Sequence, residues 1–371
     1  MTDNKNDDYG LDSLDEEENS ALKVIQNDQS ETLLETLGDK DPSKYDLPHG
    51  IARRWIATRH GTHLSDETVP SYLSHTRIFL EFLRISGTNL LDAKFDDLLT
   101  FVEYRIILGS SKSTVRKAVT IARNLYRYIQ LRTDENAVIK PNMFREINLK
   151  DANYQGGYER SALTTDEVKI FLDSFDHERN RLMAYVGIVT GARNSDIRTL
   201  KCSDVDYSEL EIRIRDPKHG RPYEVPITPE FGMELERWKE LGGRDSYNTA
   251  DESEYMFPSR CGEHLKYNGS LNSIFTQTAE RAGIQEVAAT RVMTDSSDLS
   301  YREEQNLYAV TTHTLRHTYI TLLKKAGAPP EARRSMANHK DIKTTKGYEH
   351  LDENWKDLIR SLLGSDFFPN L

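Results

Sequence analysis

The segment from about Ser113 to Leu131 constrains the fold more than any other stretch of the chain. Val115, Ala118, Val119, Ala122, Leu125, Tyr126 and Ile129 fall at helical spacing and make one continuous apolar stripe. A helix with such a stripe must bury it, so other elements have to cover it. The neighbouring sequence supplies them. Ile51 and Trp55 mark a first short helix, and Ser65-Asp66-Glu67-Thr68 suits the start of a second. Pro70 is tolerated only in that helix's first turn, and Tyr72, Phe79, Leu80 and Leu83 give its apolar face. A third helix is expected from Phe95 to Leu108, stopped at Gly109. Residues 48–133 therefore read as an all-helical domain.

Charge separates this domain from its surroundings. Residues 1–50 hold 14 acidic and 4 basic side chains, whereas residues 51–133 hold 13 Lys/Arg against 7 Asp/Glu. The overall charge of −11 thus hides one basic segment. Cations act on a polyanion locally, so the total does not exclude nucleic acid. On the 113–131 helix Arg116, Arg123 and Arg127 line the face opposite the apolar stripe, with Lys117 beside the first. A row of this kind is either an ordinary solvated face or a track for a DNA backbone, and the basic balance of its domain favours DNA. Residues 1–47, acidic and poor in aromatics, read as a tail without stable structure.

Other classes are disfavoured. No run of 18 apolar residues occurs, so no membrane span is expected. The acidic N-terminus lacks the basic start and apolar stretch of a signal peptide. Cys202 and Cys261 are the only cysteines, which argues against a disulfide framework and for a reducing cytoplasm. Cys261-Gly-Glu-His264 offers two potential metal ligands without partners, so no metal site is expected.

Residues 134–160 lack a clear period and read as a linker. A second domain over 161–371 opens with the capping box Thr164-x-x-Glu167. A helix through Leu182, Tyr185 and Ile188 leads to Gly191 and Arg193. Leu210–Arg215 and Tyr223–Ile227 alternate around a Pro217-Lys218-His219-Gly220 turn, as in an antiparallel hairpin. Helices are expected near 229–241, 267–282, 314–326, 330–337 and 350–363, with 284–311 a polar insertion of undefined structure. The expected class is mainly α with a small antiparallel β-sheet.

Within the second domain an ordered set of residues carries chemistry: Arg193, Lys218, His313, Arg316, His339 and Tyr348. Breaking a phosphodiester without metal requires a nucleophile, cations on the non-bridging oxygens and an acid for the leaving oxygen. Guanidiniums suit the second task because they engage two phosphate oxygens at once. Arg193 and Arg316 would form that clamp. His313, three residues before Arg316, shares its helix face and could bind the phosphate or relay a proton. Lys218 at a hairpin tip could protonate the leaving oxygen, with Arg221 and Lys201 as nearby alternatives, and Tyr348 could attack. Singly these residues mean little: a lone HxxR is most often a surface salt bridge, and Lys218 in a Pro/Gly turn a solvated lysine. Their joint occurrence in order carries the inference.

These segments resemble the motifs of the tyrosine recombinases, the phage integrase and Xer-like family. Thr190-Gly-Ala-Arg193-Asn-Ser-Asp196-Ile resembles the first-arginine motif, Lys218 the hairpin lysine, and His313-Thr-Leu-Arg316-His-Thr the HxxR box. Asn338-His339 followed nine residues later by Tyr348 resembles the closing motif, with Asn338 where the family usually has glycine. The resemblance spans about 50–363. It implies a two-domain clamp on double-stranded DNA, made of a helical core-binding domain and an α+β catalytic domain. It further implies a 3′-phosphotyrosyl intermediate at Tyr348, support by His339, no metal or nucleotide cofactor, and a homotetramer on DNA. Arg116, Lys117, Arg123 and Arg127 become the candidate DNA-binding residues, and His317 and His350 structural neighbours. The rivals are a type IB topoisomerase, a DNA-binding protein that has lost catalysis, and a helical adaptor. An adaptor would not need Arg193, Lys218 or Tyr348, and a non-catalytic relative would have lost some of the six. The apolar end of the chain, with Leu358, Leu362, Leu363 and Phe367-Phe368, is expected to dock on a neighbouring subunit.

Overall fold

The computed structural model describes residues 41–371 except 151, 153, 155–160, 216–221, 261–262, 295–301, 337–352, 366–367 and 369–371. The chain divides into two compact units, the first made of Met1–Gly157 with Val292–Glu304 and the second of Tyr158–Arg291 with Gln305–Leu371.

The first unit is helical: α1 (Gly50–Arg59), α2 (Val69–Ile85), α3 (Phe95–Ile107) and α4 (Lys112–Arg132). Local chemistry sets their limits. Pro70 occupies the first turn of α2. Gly109, at φ +74, lies just beyond the end of α3. Ser111 caps α4, its hydroxyl accepting from the Thr114 amide at 3.3 Å. The predicted stripe of α4, from Val115 to Ile129, is buried against Trp55, Phe79, Leu83 and Phe101. Ala137, Ile139 and Phe144 extend the same core, so the chain directly after α4 packs on the helices despite its lack of period.

The second unit is built around α6 (Glu178–Thr190), which is buried on nearly every face. It is preceded by α5 (Thr165–Asp173), opened by the expected Thr164/Glu167 capping box, and followed by the short α7 (Asn194–Arg198). A sheet of β1 (Val205–Asp206), β2 (Glu211–Ile214) and β3 (Tyr223–Pro226) comes next. It is antiparallel in the order β1-β2-β3, with Ile212 opposite Val225 and Ile214 opposite Tyr223. Then follow α8 (Pro229–Glu240), α9 (Asn268–Arg281), α10 (Thr312–Lys325), α11 (Pro330–Met336) and α12 (Glu353–Leu363). The protein is thus mainly helical with small sheets. None of its described helices is long and apolar enough to cross a membrane.

The 284–311 segment and the end of the chain add detail that the sequence left open. Within 284–311 the chain forms β4 (Val287–Thr294) and β5 (Arg302–Tyr308), which pair as a two-stranded sheet. Its base is fixed by the Ala309 amide donating to the Glu286 carbonyl at 3.0 Å and by Gln285 bonding both backbone groups of Val310. The polar sequence hid the strands because their described side chains, 287–290 and 303–308, are exposed or only partly buried. Part of the apolar C-terminal segment packs on its own chain. Ile359, Leu363 and Phe368 are buried in the second unit's own core, and Lys356 bridges Glu211 on β2 and Glu224 on β3. Leu363 and Phe368 are thus packed within their own chain, whereas Leu358 and Leu362 remain partly exposed and Phe367 lies outside the described residues.

Candidate active site and nucleic-acid interface

The turn between α6 and α7 holds the first candidate residue. Thr190 donates to the Val186 carbonyl at 2.6 Å, and its hydroxyl accepts from the Ala192 amide at 3.1 Å, which ends α6 and folds the turn. Gly191 follows at φ +62, a left-handed conformation that favours glycine. A Cβ there would stand 2.5 Å from the ring of Tyr319. Both the backbone angle and the close ring therefore require Gly in the Thr190-Gly191 pair. Arg193 then caps α7, and its amide donates to Asp196 Oδ2 at 3.1 Å.

The second arginine comes from α10. Arg316 is 5% exposed and donates through Nη1 to the Gly191 carbonyl at 2.6 Å. The glycine that shapes the first motif thus also holds the guanidinium of the second. Burial first, and then the like charge of Arg193, pull the pKa of Arg316 below the usual arginine value. The two guanidiniums are close enough to repel, and Asp196, itself buried, offsets them in part. Two guanidiniums held in one place with a single partial counter-charge are suited to an anion.

Further contacts lock α7 to α10. Asn194 donates to Thr312 Oγ1 at 3.2 Å, and Thr312 donates to Asn272 Oδ1 at 2.7 Å. Arg198 donates to Asn194 at 2.8 Å and to the Lys266 carbonyl at 2.8 Å. His313 lies exposed in the first turn of α10, edge to face with His317 at 4.8 Å between ring centroids. Because Arg316 points inward three residues later, the histidine marks the open side of the same helix.

Tyr223 on β3 was not singled out by sequence. Its hydroxyl is buried in the field of Arg316, Asp196 and Arg193, yet it falls short of a full hydrogen bond to any described group. Burial raises its pKa, and Arg316 and Arg193 pull it partly back. A tyrosine in a strand ordinarily signals packing, so spacing alone carried no hint of this placement. Asp196 was more legible, since Arg193-x-x-Asp196 has the form of a helix-start box.

Lys218, His339 and Tyr348 lie outside the described residues. The strand leading towards Lys218 is nonetheless anchored: Arg215 grips the buried Asp204, with Nε donating to Oδ1 at 2.7 Å and Nη2 to the same oxygen at 2.6 Å. In the first unit Arg116, Lys117, Arg123 and Arg127 are all exposed on α4, on the side away from its buried stripe.

The Phage integrase family pattern matches residues 161–354. The chain is similar to a tyrosine recombinase of Pseudothermotoga lettingae, with 23% identity over 312 residues that cover 82% of this chain and 94% of that one. Among solved structures it resembles a lambda integrase (75–356) dimer bound to a COC′ core site. That match has a TM-score of 0.58 and 16% identity, over 82% of this chain and 99% of the other. A lambda integrase tetramer bound to a Holliday junction is similar at a TM-score of 0.56 and 16% identity, covering 82% and 80%. These structural likenesses establish the fold.

Proposed function

From its membership of the phage integrase family, to which this chain belongs as a tyrosine site-specific recombinase, we propose how its residues divide the work on DNA. The single observation that carries the reading is the pairing of Arg193 and Arg316 around Gly191. Two fixed guanidiniums with one partial counter-charge suit a phosphodiester whose negative charge grows during attack.

In this scheme the Tyr348 oxygen attacks the phosphorus while its proton passes to an imidazole. The bond to the 5′ oxygen breaks, and Lys218 protonates that oxygen. A 3′-phosphotyrosyl bond and a free 5′ hydroxyl result, and attack by another strand's 5′ hydroxyl reverses the sequence. Arg193, Arg316 and His313 hold the phosphate, and His339 supports the phosphate or the tyrosine. The first unit serves as the core-binding domain, tracking the duplex backbone with Arg116, Lys117, Arg123 and Arg127. Residues 161–371 are the catalytic domain, and residues 134–160, whose first part packs on the first unit through Ala137, Ile139 and Phe144, join the two. Strand exchange takes place in a homotetramer on DNA, in the cytoplasm.

Covalent capture tests this. Wild type and Tyr348→Phe are expressed with candidate flanking DNA, lysed under denaturing conditions, and the DNA ends attached to the protein are sequenced. One short site should be enriched with wild type and be absent with the Phe variant. Attachment scattered over many sequences would instead point to relaxation of supercoils, and none with wild type would reject the assignment of Tyr348.

A further inference from the structure

Arg105 is an anomaly within the first unit. It lies in the last turn of α3 and is 6% exposed. Burial lowers its pKa, yet a guanidinium stays charged at neutral pH. Its Nε is buried without an acceptor, and among the described residues no carboxylate pairs with the rest of the group. The carbonyl end of its own helix offers a cation only about 0.3–1 kcal/mol, against several for desolvating it. An uncompensated buried charge calls for an anion.

Other groups converge on the same place. Helices α2 and α3 pack through Phe79 and Phe82 against Phe101 and Tyr104, with ring centroids 4.9, 5.3 and 5.4 Å apart. His75 lies one turn before Phe79 on α2, and Arg105 one turn after Phe101 on α3. His75 feels the charges of Arg105 and of Lys117, which stands exposed on α4. The His75 Nδ1 is likewise buried without a partner. No Asp or Glu is among the groups that act on either His75 or Arg105. Three helices thus bring a guanidinium, a neutral imidazole and an ammonium group towards one niche, where the Tyr104 phenol is the only side chain that acts on Arg105 and no carboxylate balances its charge.

We propose that Arg105, with His75 and Lys117 beside it, binds one backbone phosphate of duplex DNA. Lys117, whose charge reaches His75, is exposed on α4 next to Arg116, in the same basic face as Arg123 and Arg127. A polyanion lying along that face can place a phosphate on Arg105 while its neighbours meet Arg123 and Arg127. Arg105 then adds affinity without reading sequence, because a phosphate contact carries no base information. The proposal rests on the DNA-binding reading of the first unit but not on the chemistry of the second.

The test uses the full chain and short duplexes of unrelated sequence, titrated by fluorescence anisotropy between 50 and 200 mM salt. Arg105→Met keeps the volume and removes the charge. It should weaken binding to every duplex by about tenfold and make the slope of log K against log salt shallower by about one. Its melting temperature without DNA should equal or exceed that of wild type, since a lone buried charge has gone. Should Arg105→Met fail to fold, the exposed Lys117→Gln and the charge-keeping Arg105→Lys carry the test. Lys117→Gln should weaken all duplexes alike, and Arg105→Lys should keep the wild-type slope. An unchanged slope in Arg105→Met, or a slope in Arg105→Lys shallower by one, overturns the proposal. So does stabilisation of wild type by inorganic phosphate with no effect of Arg105→Met on DNA binding, which assigns the niche to a free anion. Covalent capture by wild type scores the recombinase chemistry separately, so failure of one reading is distinguishable from failure of the other.

Discussion

Burying Arg316 beside Arg193 costs free energy, and the local structure shows how that cost is contained. Arg316 spends one donor on the Gly191 carbonyl, and buried Asp196 supplies part of the missing negative charge. Tyr223 is the remaining neighbour, with its hydroxyl in the field of both arginines. A phenol there can accept from Arg316 and turn its own proton towards a bound phosphate, which makes Tyr223 a positioning residue for the clamp. Tyr223→Phe removes only the hydroxyl. It should slow covalent cleavage of a nicked duplex by roughly tenfold or more, the value of a hydrogen bond to a charged group, with DNA affinity nearly unchanged. A substrate with sulfur in place of the leaving 5′ oxygen needs no acid, so it should not restore the variant's rate. Restoration by that substrate, or a wild-type rate on the ordinary one, would remove Tyr223 from the clamp. Arg193, His313 and Arg316 were legible in the sequence because each sits in a fixed local motif. Tyr223 was not, since its proximity arises only when β3 meets α6 and α10.

Helices and strands were readable to the extent that they bury one face. The α4 stripe, the Pro70 start of α2 and the Thr164/Glu167 box on α5 all formed where periodicity and capping placed them. β4 and β5 were not legible because strands whose described side chains stay at the surface show no apolar alternation, nor was the packing of 137–144, because irregular chain has no period to read. The junction of α2, α3 and α4 has a measurable consequence. Burial first, then the charges of Arg105 and Lys117, push the His75 imidazole down to about 4. In the unfolded chain it titrates near about 6.5. Between these values the unfolded state holds the extra proton. The contribution is complete above the unfolded value and is lost as pH falls towards the folded one, by at most about 3 kcal/mol. His49 is displaced in the same direction, mainly by burial and then by Arg54, so other groups share the window. His75→Gln should therefore flatten the fall in melting temperature between pH 7 and pH 5 without abolishing it. A profile parallel to wild type would show that His75 titrates normally in the folded protein.

At the scale of the whole second unit, the end of the chain is tied to the arginine pair by a short run of contacts. Phe368, 2% exposed, packs against Tyr319 with ring centroids 6.4 Å apart. Tyr319 fills the space over Gly191 that any larger residue would claim, and the Gly191 carbonyl holds Arg316. Apolarity alone does not tell a contact within one chain from a contact between two, and Leu363 and Phe368 make theirs within the chain. Truncating 364–371 would consequently disturb folding and assembly together and cannot separate them. A point change is cleaner. Phe368→Ala should destabilise the protein by about 3 kcal/mol or more, as loss of a fully buried aromatic does, read from denaturant unfolding. Measured where the variant is still folded, cleavage of a nicked duplex should also slow, because Tyr319 no longer holds the Gly191 turn as firmly. The two readouts divide the possibilities. Loss of stability with a wild-type cleavage rate would show the C-terminal contact to be structural only. No loss of stability would mean that Phe368 does not occupy this core in solution, and the docking of α12 on β2 and β3 would have to be reconsidered with it.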